Sequence, residues 1–168
     1  EIFADSDPTL ASAGAAILAI VRRDHRHVSS ERLISGPGLV LIHDALRVHH
    51  GLATQALTPA EISARAQSGE CAVCVETAQV FSGMLGSFAG SLALTLGAFG
   101  GVYLGGGVIA GLGTAFDRAF FRARFEAKGR FAGYLAGIST VQITAAHPAL
   151  RGVAAALSDH LKGCGEPG

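Results

Sequence analysis

Three stretches of this chain carry residues whose types and spacing could do chemistry. From His27 to Gly38 the sequence reads His-Val-Ser-Ser-Glu-Arg-Leu-Ile-Ser-Gly-Pro-Gly, placing Glu31 two residues after Ser29. An ionised carboxylate is an acceptor of strong, directional hydrogen bonds, so Glu31 could hold a ligand. It also needs no ligand to be at home there, because a Ser-capped first turn favours an acid. Further on, five glycines (Gly100, Gly101, Gly105, Gly106 and Gly107) flank Val102-Tyr103-Leu104. Where Cβ atoms are missing, backbone N–H and C=O groups can approach a ligand, or a packed helix, that side chains would hold off. The third stretch is Cys71-Ala72-Val73-Cys74, with C-x-x-C spacing. Zinc sites and redox pairs use that spacing, but no second pair follows and the nearest His are distant in sequence. The reading is reduced thiols opening a helix.

Other candidates read as structure. His49-His50 has no acidic or Cys neighbour in sequence and is expected to be a solvated helix end. Arg118, Arg122, Arg124, Lys128 and Arg130 form a local basic cluster beside Asp117 and Glu126, expected to be a solvated helix face rather than a phosphate site. His147-Pro148 is expected to be a turn.

The elements that must position these residues follow from periodicity and capping. Leu10 to Arg23 is an Ala-rich helix ending on Arg22 and Arg23, which suit the negative end of its dipole. Gly36-Pro37-Gly38 predicts a tight loop after a short helical turn, and Leu39, Ile42, Ala45, Leu46 and His49 then recur at helical spacing up to Gly51. Thr58-Pro59-Ala60-Glu61 is a capping box opening a helix to about Gln67. Between Thr77 and Phe116 there is no charged side chain. Its first part places Val80, Met84, Leu85, Phe88, Leu92 and Leu96 on one helical face, while Gly83, Gly90 and Gly97 recur on another and admit a close neighbour. The short apolar run Val102 to Leu104 between glycine clusters predicts a buried strand with glycine turns at its ends. The tail predicts a helix from Asp117 to Lys128, a second from Arg130, a strand from Thr140 to Thr144, and a last helix from Arg151 to Leu161. Two strands among so many helices make sense only within a larger parallel sheet.

Composition bounds the function. In 168 residues, 13 basic side chains balance 13 acidic ones, so neither a nucleic-acid groove nor an anionic membrane surface is indicated. Charged residues make up only 15%, which predicts a surface that packs against another domain or subunit. The uncharged run is long enough to span a bilayer, but Gly100-Gly101 and Gly105 to Gly107 interrupt it, and Gln79, Ser82, Ser87 and Ser91 line one side. With Cys71, Cys74 and Cys164 an odd count, and no charged-then-apolar leader, the expectation is reduced thiols in the cytoplasm. A start at Glu1 rather than Met suggests a cut N-terminus.

Two stretches resemble the bacterial glucokinase family, of the hexokinase and actin-like ATPase superfamily. His27 to Leu39 is close to the family's H-V-S-x-E-R-x-L-S-G-P-G-L, and Met84 to Gly107 matches its Gly-rich segment. Phe121 to Phe131 is similar to its F-R-x-x-F-x-x-K-G-R-F. The resemblance covers about three quarters of the chain, from His27 onward. It implies an α/β fold, the helix-rich C-terminal part of an actin-like (ribonuclease H-like) large domain, with residues 1–168 as one piece of it. It implies phosphorylation of glucose at its 6-hydroxyl by ATP with Mg2+, and a homodimer formed through the large domain. Glu31 would then accept from sugar hydroxyls, and Gly100, Gly101, Gly105, Gly106 and Gly107 would face adenosine.

The family pattern is also incomplete here. The Asp-x-Gly-Gly-Thr phosphate loop, the Asn-Asp pair with the proton-accepting aspartate, and the G-x-G-T-G loop all precede Glu1 in a full-length member. Glu1 falls by count on a second sugar-binding glutamate, although Ile2-Phe3-Ala4 stands where the family has Gly-Gly-His. Ser91 replaces an Asn, and Ala110-Gly111 replaces a Pro-Arg pair. The chain alone is therefore expected to be inactive, with a non-catalytic interaction or sugar-binding module as the alternative.

Overall fold

The computed structural model describes residues 8–163. Glu1 and Cys164 lie outside the described residues. In order come α1 (Pro8–Asp24), α2 (Ser30–Leu33), α3 (Gly36–His49), α4 (Pro59–Ser68), α5 (Ala72–Leu96), β1 (Val102–Leu104), α6 (Gly107–Leu112), α7 (Arg118–Glu126), α8 (Ala132–Ala136), β2 (Thr140–Gln142) and α9 (Pro148–Gly163). Short 3-10 turns occupy Gly113–Ala115 and Gly129–Phe131.

Helix α5 is the axis of the fold, and its contact with α7 is the most extensive in the chain. Glycine makes that contact possible. A Cβ on Gly86 would fall closer than 3.0 Å to the Phe121 carbonyl oxygen, and one on Gly90 would do the same to Phe125 O. At Gly83 the neighbour is instead the Phe120 ring. Polar residues of α5 lock the pair: Ser82 Oγ accepts from Asp117 N (3.1 Å), and buried Ser87 Oγ accepts from Arg124 Nε (3.2 Å). Asp117 caps α7 by accepting from Phe120 N at 2.8 Å.

The apolar face of α5 is buried only at its start: Val80 and Met84 lie in the core, and the face opens to solvent toward the C-terminal end of the helix. Phe88, Leu92 and Leu96 are exposed, Leu96 by 70%, whereas Gly83, Gly86 and Gly90 are covered by α7. Leucine count marks an apolar face but does not say which neighbour is present to cover it. The helix is long and apolar enough to cross a membrane by length and composition, and 56% of its most apolar window is buried within the fold.

Strands β1 and β2 pair in parallel, Val102 opposite Thr140 and Leu104 opposite Gln142, with α6, α7 and α8 forming the crossover. The strand lies where expected, between the glycine clusters, but it is not fully buried, because Tyr103 is 66% exposed. Leu104 turns into the core beside Phe116 and Phe121, while Tyr103 and Val141 are exposed.

Local signals held elsewhere. Thr58 and Glu61 form a reciprocal capping box on α4, and Gly69 ends that helix in the left-handed region at φ +72°. Gly36-Pro37-Gly38 does not form a loop; it is the first turn of α3, because Pro is tolerated where the N–H has no helical partner. Every residue from Pro148 to Lys162 in α9 is exposed.

Candidate functional site

Glu31 lies in the four-residue helix α2, built by local capping. Ser29 is its N-cap and accepts from Arg32 N at 3.2 Å, and Leu33 on the opposite side is buried. The turn is then fixed against α3. Ser35 Oγ accepts from Gly38 N (3.1 Å), and a Cβ on Gly38 would fall closer than 3.0 Å to the carbonyl oxygens of both Arg32 and Leu33. The Ser-Gly-Pro-Gly sequence therefore serves as the seat on which the Glu31 turn rests. The Glu31 carboxylate is exposed and makes no hydrogen bond or ion pair with the described residues. It is an ionised acceptor held on a rigid corner.

Five glycines surround β1 in two groups. Gly100 and Gly101 form the turn into β1, with Gly101 at φ +113°. Tyr134 Oη holds that turn by donating to Ala98 O at 3.0 Å, and its ring meets Phe99 edge-on at 4.9 Å. Gly105 to Gly107 connect β1 to α6, and a Cβ on Gly100, Gly106 or Gly107 would meet nothing within 4 Å. Their openness is thus not required for packing inside this chain. Gly101 and Gly105 border an apolar cavity of about 370 Å³ with Leu85, Phe88, Leu92 and Tyr103. Gly107 borders a separate one of about 260 Å³ with Leu39, Pro59, Ser63 and Gly111, where α3, α4 and α6 meet. That cavity joins the helix behind Glu31 to the glycine triplet.

Other sequence candidates are placed differently from expectation. His50 Nε2 lies 2.7 Å from Glu76 Oε2, so the helix end is hydrogen-bonded rather than merely solvated; its partner is 26 residues away and was invisible to local reading. The basic cluster is only partly a solvated face: Arg118 and Arg130 are exposed, but Arg122 and Arg124 are drawn into the fold. Arg122 donates to the carbonyls of Leu135 (3.1 Å), Ala136 (2.9 Å) and Ile138 (2.6 Å) and pairs with Glu126, capping the C-terminal end of α8. Arg124 is only 6% exposed. Arg118 donates to Gln142 on β2 at 3.0 Å. His147 turns the chain into α9 at φ +49°. Sequence reasoning also passed over Tyr134 and Gln67, whose Nε2 donates to Gly111 O at 2.8 Å; nothing local flags either contact.

A model of the glucokinase family matches residues 8–160. The chain belongs to the glucokinase family. It is 55% identical over 149 residues to a glucokinase of Aromatoleum aromaticum, covering 89% of this chain and 45% of that relative. A glucokinase of Chromobacterium violaceum is 54% identical over 141 residues, 84% of this chain and 40% of that protein. Among solved structures, a glucokinase from an Antarctic psychrotroph superposes with a TM-score of 0.80 at 34% identity, covering 94% of this chain and 48% of that one. The chain thus spans about half the length of the glucokinases it matches. The helix-rich fold with a small sheet is that of the C-terminal portion of this family.

Proposed function

We propose that residues 1–168 form the C-terminal part of the large domain of a kinase that transfers the γ-phosphoryl group of ATP to the 6-hydroxyl of glucose. The observation that carries this reading is Glu31: an exposed carboxylate without a partner among the described residues, seated on the first turn of α3, in a chain of the glucokinase family. In this reading Glu31, with Glu1 as second glutamate, accepts from neighbouring sugar hydroxyls, and charge-assisted bonds of this kind fix the ring for transfer. In the same reading Gly100, Gly101, Gly105, Gly106 and Gly107 face adenosine, supported by the open space where a Cβ would stand on Gly100, Gly106 and Gly107. Among the described residues no three His, Cys, Asp or Glu side chains gather to hold a metal. Mg2+ would therefore arrive with the phosphates of ATP, whose charge it neutralises.

The test is Glu31→Gln in the full-length protein. The amide keeps the shape but accepts on one side only. A hydrogen bond to a charged group contributes about 1.5–3 kcal/mol, so kcat/KM for glucose should fall roughly 10- to 150-fold with little change in KM for ATP. Unchanged glucose kinetics would remove Glu31 from the sugar site.

A further inference from the structure

The structure assigns Cys71 and Cys74 to a dithiol that closes to a disulfide on exchange with a low-molecular-weight disulfide such as oxidised glutathione, a reaction site separate from the sugar and nucleotide regions. Cys71 is the N-cap of α5, the longest helix, and its Sγ accepts from Cys74 N at 3.4 Å. Helix geometry sets positions three apart about 5 Å from each other at Cα, inside the span a disulfide bridges. The two thiols are unequal. Cys71 is half-buried and reachable, whereas Cys74 has 0% exposure. An accessible attacking thiol followed by a buried resolving thiol is the arrangement that stepwise exchange requires.

The surroundings sharpen that inequality. At Cys71, burial acts to raise the thiol, but hydrogen bonds from the Cys74 thiol and from the N–H groups of Cys74 and Val73, with the positive charge of Arg65, outweigh it and hold it below the usual range. At Cys74, burial first, and then the hydrogen bond to Cys71 and the charge there, push the thiol up to about 12, against smaller pulls from Arg65 on α4 and Arg47 on α3. Zinc does not compete as an explanation, since two ligands fall short of the four a structural site uses and no third gathers among the described residues.

The exchange balances in two steps. Cys71 gives its thiol proton to water, and the thiolate attacks one sulfur of the small disulfide, forming a mixed disulfide and releasing one thiolate. The Cys74 sulfur, giving its proton to that thiolate, then attacks the Cys71 sulfur and releases the second small sulfur as a thiolate, which takes up from water the proton that Cys71 gave away. The protein loses two electrons and two protons, and the small disulfide becomes two thiols. Because the bridge joins the N-cap to the first turn of α5, it closes without unwinding the helix.

The test uses the full-length protein equilibrated with oxidised and reduced glutathione, quenched with iodoacetamide and cleaved with trypsin. Arg65 and Arg118 bound one peptide holding both cysteines, so Cys164 is read separately. Under oxidising ratios that peptide should be unalkylated and lighter by two hydrogens, and dithiothreitol should reverse it. Cys74→Ser should accumulate about one glutathione on Cys71. Cys71→Ser should take up glutathione at least tenfold more slowly than Cys74→Ser, following thiolate character and access. Full alkylation of both thiols after oxidising equilibration of the wild-type protein, or equal uptake by the two variants, would overturn the assignment. None of these outcomes depends on the sugar-site reading, because no step uses glucose or ATP.

Discussion

Gly86→Ala is expected to destabilise the protein by about 2–4 kcal/mol, read as a lower urea midpoint at constant slope. Two effects oppose each other. Alanine in a helix interior is favoured over glycine by roughly 0.5–1 kcal/mol. Against that, the new methyl falls on the Phe121 carbonyl oxygen of α7, with Arg124 Cβ next to it, and neither can rotate away. The two helices must separate, which weakens the Ser87–Arg124 hydrogen bond with them. Gly83→Ala should be milder, because the obstructing atoms belong to the Phe120 ring, a side chain that can move. Gly152→Ala on α9, where a Cβ meets nothing, is the control and should be neutral or slightly stabilising. A Gly86→Ala midpoint matching that of Gly152→Ala would show that the α5–α7 contact is looser than described.

The second large effect concerns catalysis: the 168-residue chain on its own is expected to show no glucose-dependent release of ADP. Attack on a γ-phosphoryl group requires a base aligned with the hydroxyl and groups that neutralise developing charge. The described carboxylates are largely engaged in structure. Asp44 pairs with His43, Glu61 with Thr58, Glu76 with His50, Asp117 with the first turn of α7, and Glu126 with Arg122. Glu31 is the acceptor proposed for sugar hydroxyls and cannot also be the base at the transferring oxygen. A coupled assay with purified chain, glucose and Mg-ATP should read zero, while the same residues within the full-length protein turn over. Turnover by the chain alone at about 1–100 s⁻¹, the ordinary kinase range, would mean that its site is complete.

Features encoded by neighbours in sequence were legible before the structure. The Thr58–Glu61 capping box, the Ser29 cap and the opening of α5 at Cys71 are short-range hydrogen-bond patterns, and each stands as read. Of the glycine face of α5, Gly83 and Gly90 are covered by α7, whereas Gly97 instead ends the helix in the left-handed region at φ +58°. What failed depended on distant partners. The Leu–Phe face of α5 is covered at Val80 and Met84 but exposed at Phe88, Leu92 and Leu96, since periodicity carries no information about how far a neighbour extends along the helix. Arg122 looked like solvent-facing charge because the carbonyls it caps lie 13 to 16 residues on. Gly36-Pro37 was taken as a breaker, although a proline that ends one helix can start the next; Ser35 decided between the two. For the site, the corner holding Glu31 was readable from capping, but its sugar role and the adenosine role of the glycines came only from family resemblance.

Helix α9 has one more consequence. Its stripe of Leu150, Val153, Leu157 and Leu161 follows helical spacing, and each is 56–69% exposed. A 16-residue helix without a packed face is marginal in water, so its persistence depends on whatever covers that stripe. In hydrogen-exchange terms α9 is expected to be the least protected long helix among the described residues, opening independently while the glycine-packed amides of α5 should open only with the core. Its deuterium uptake is thus a local gauge of whether the stripe is covered, legible with no substrate bound and no change elsewhere in the molecule.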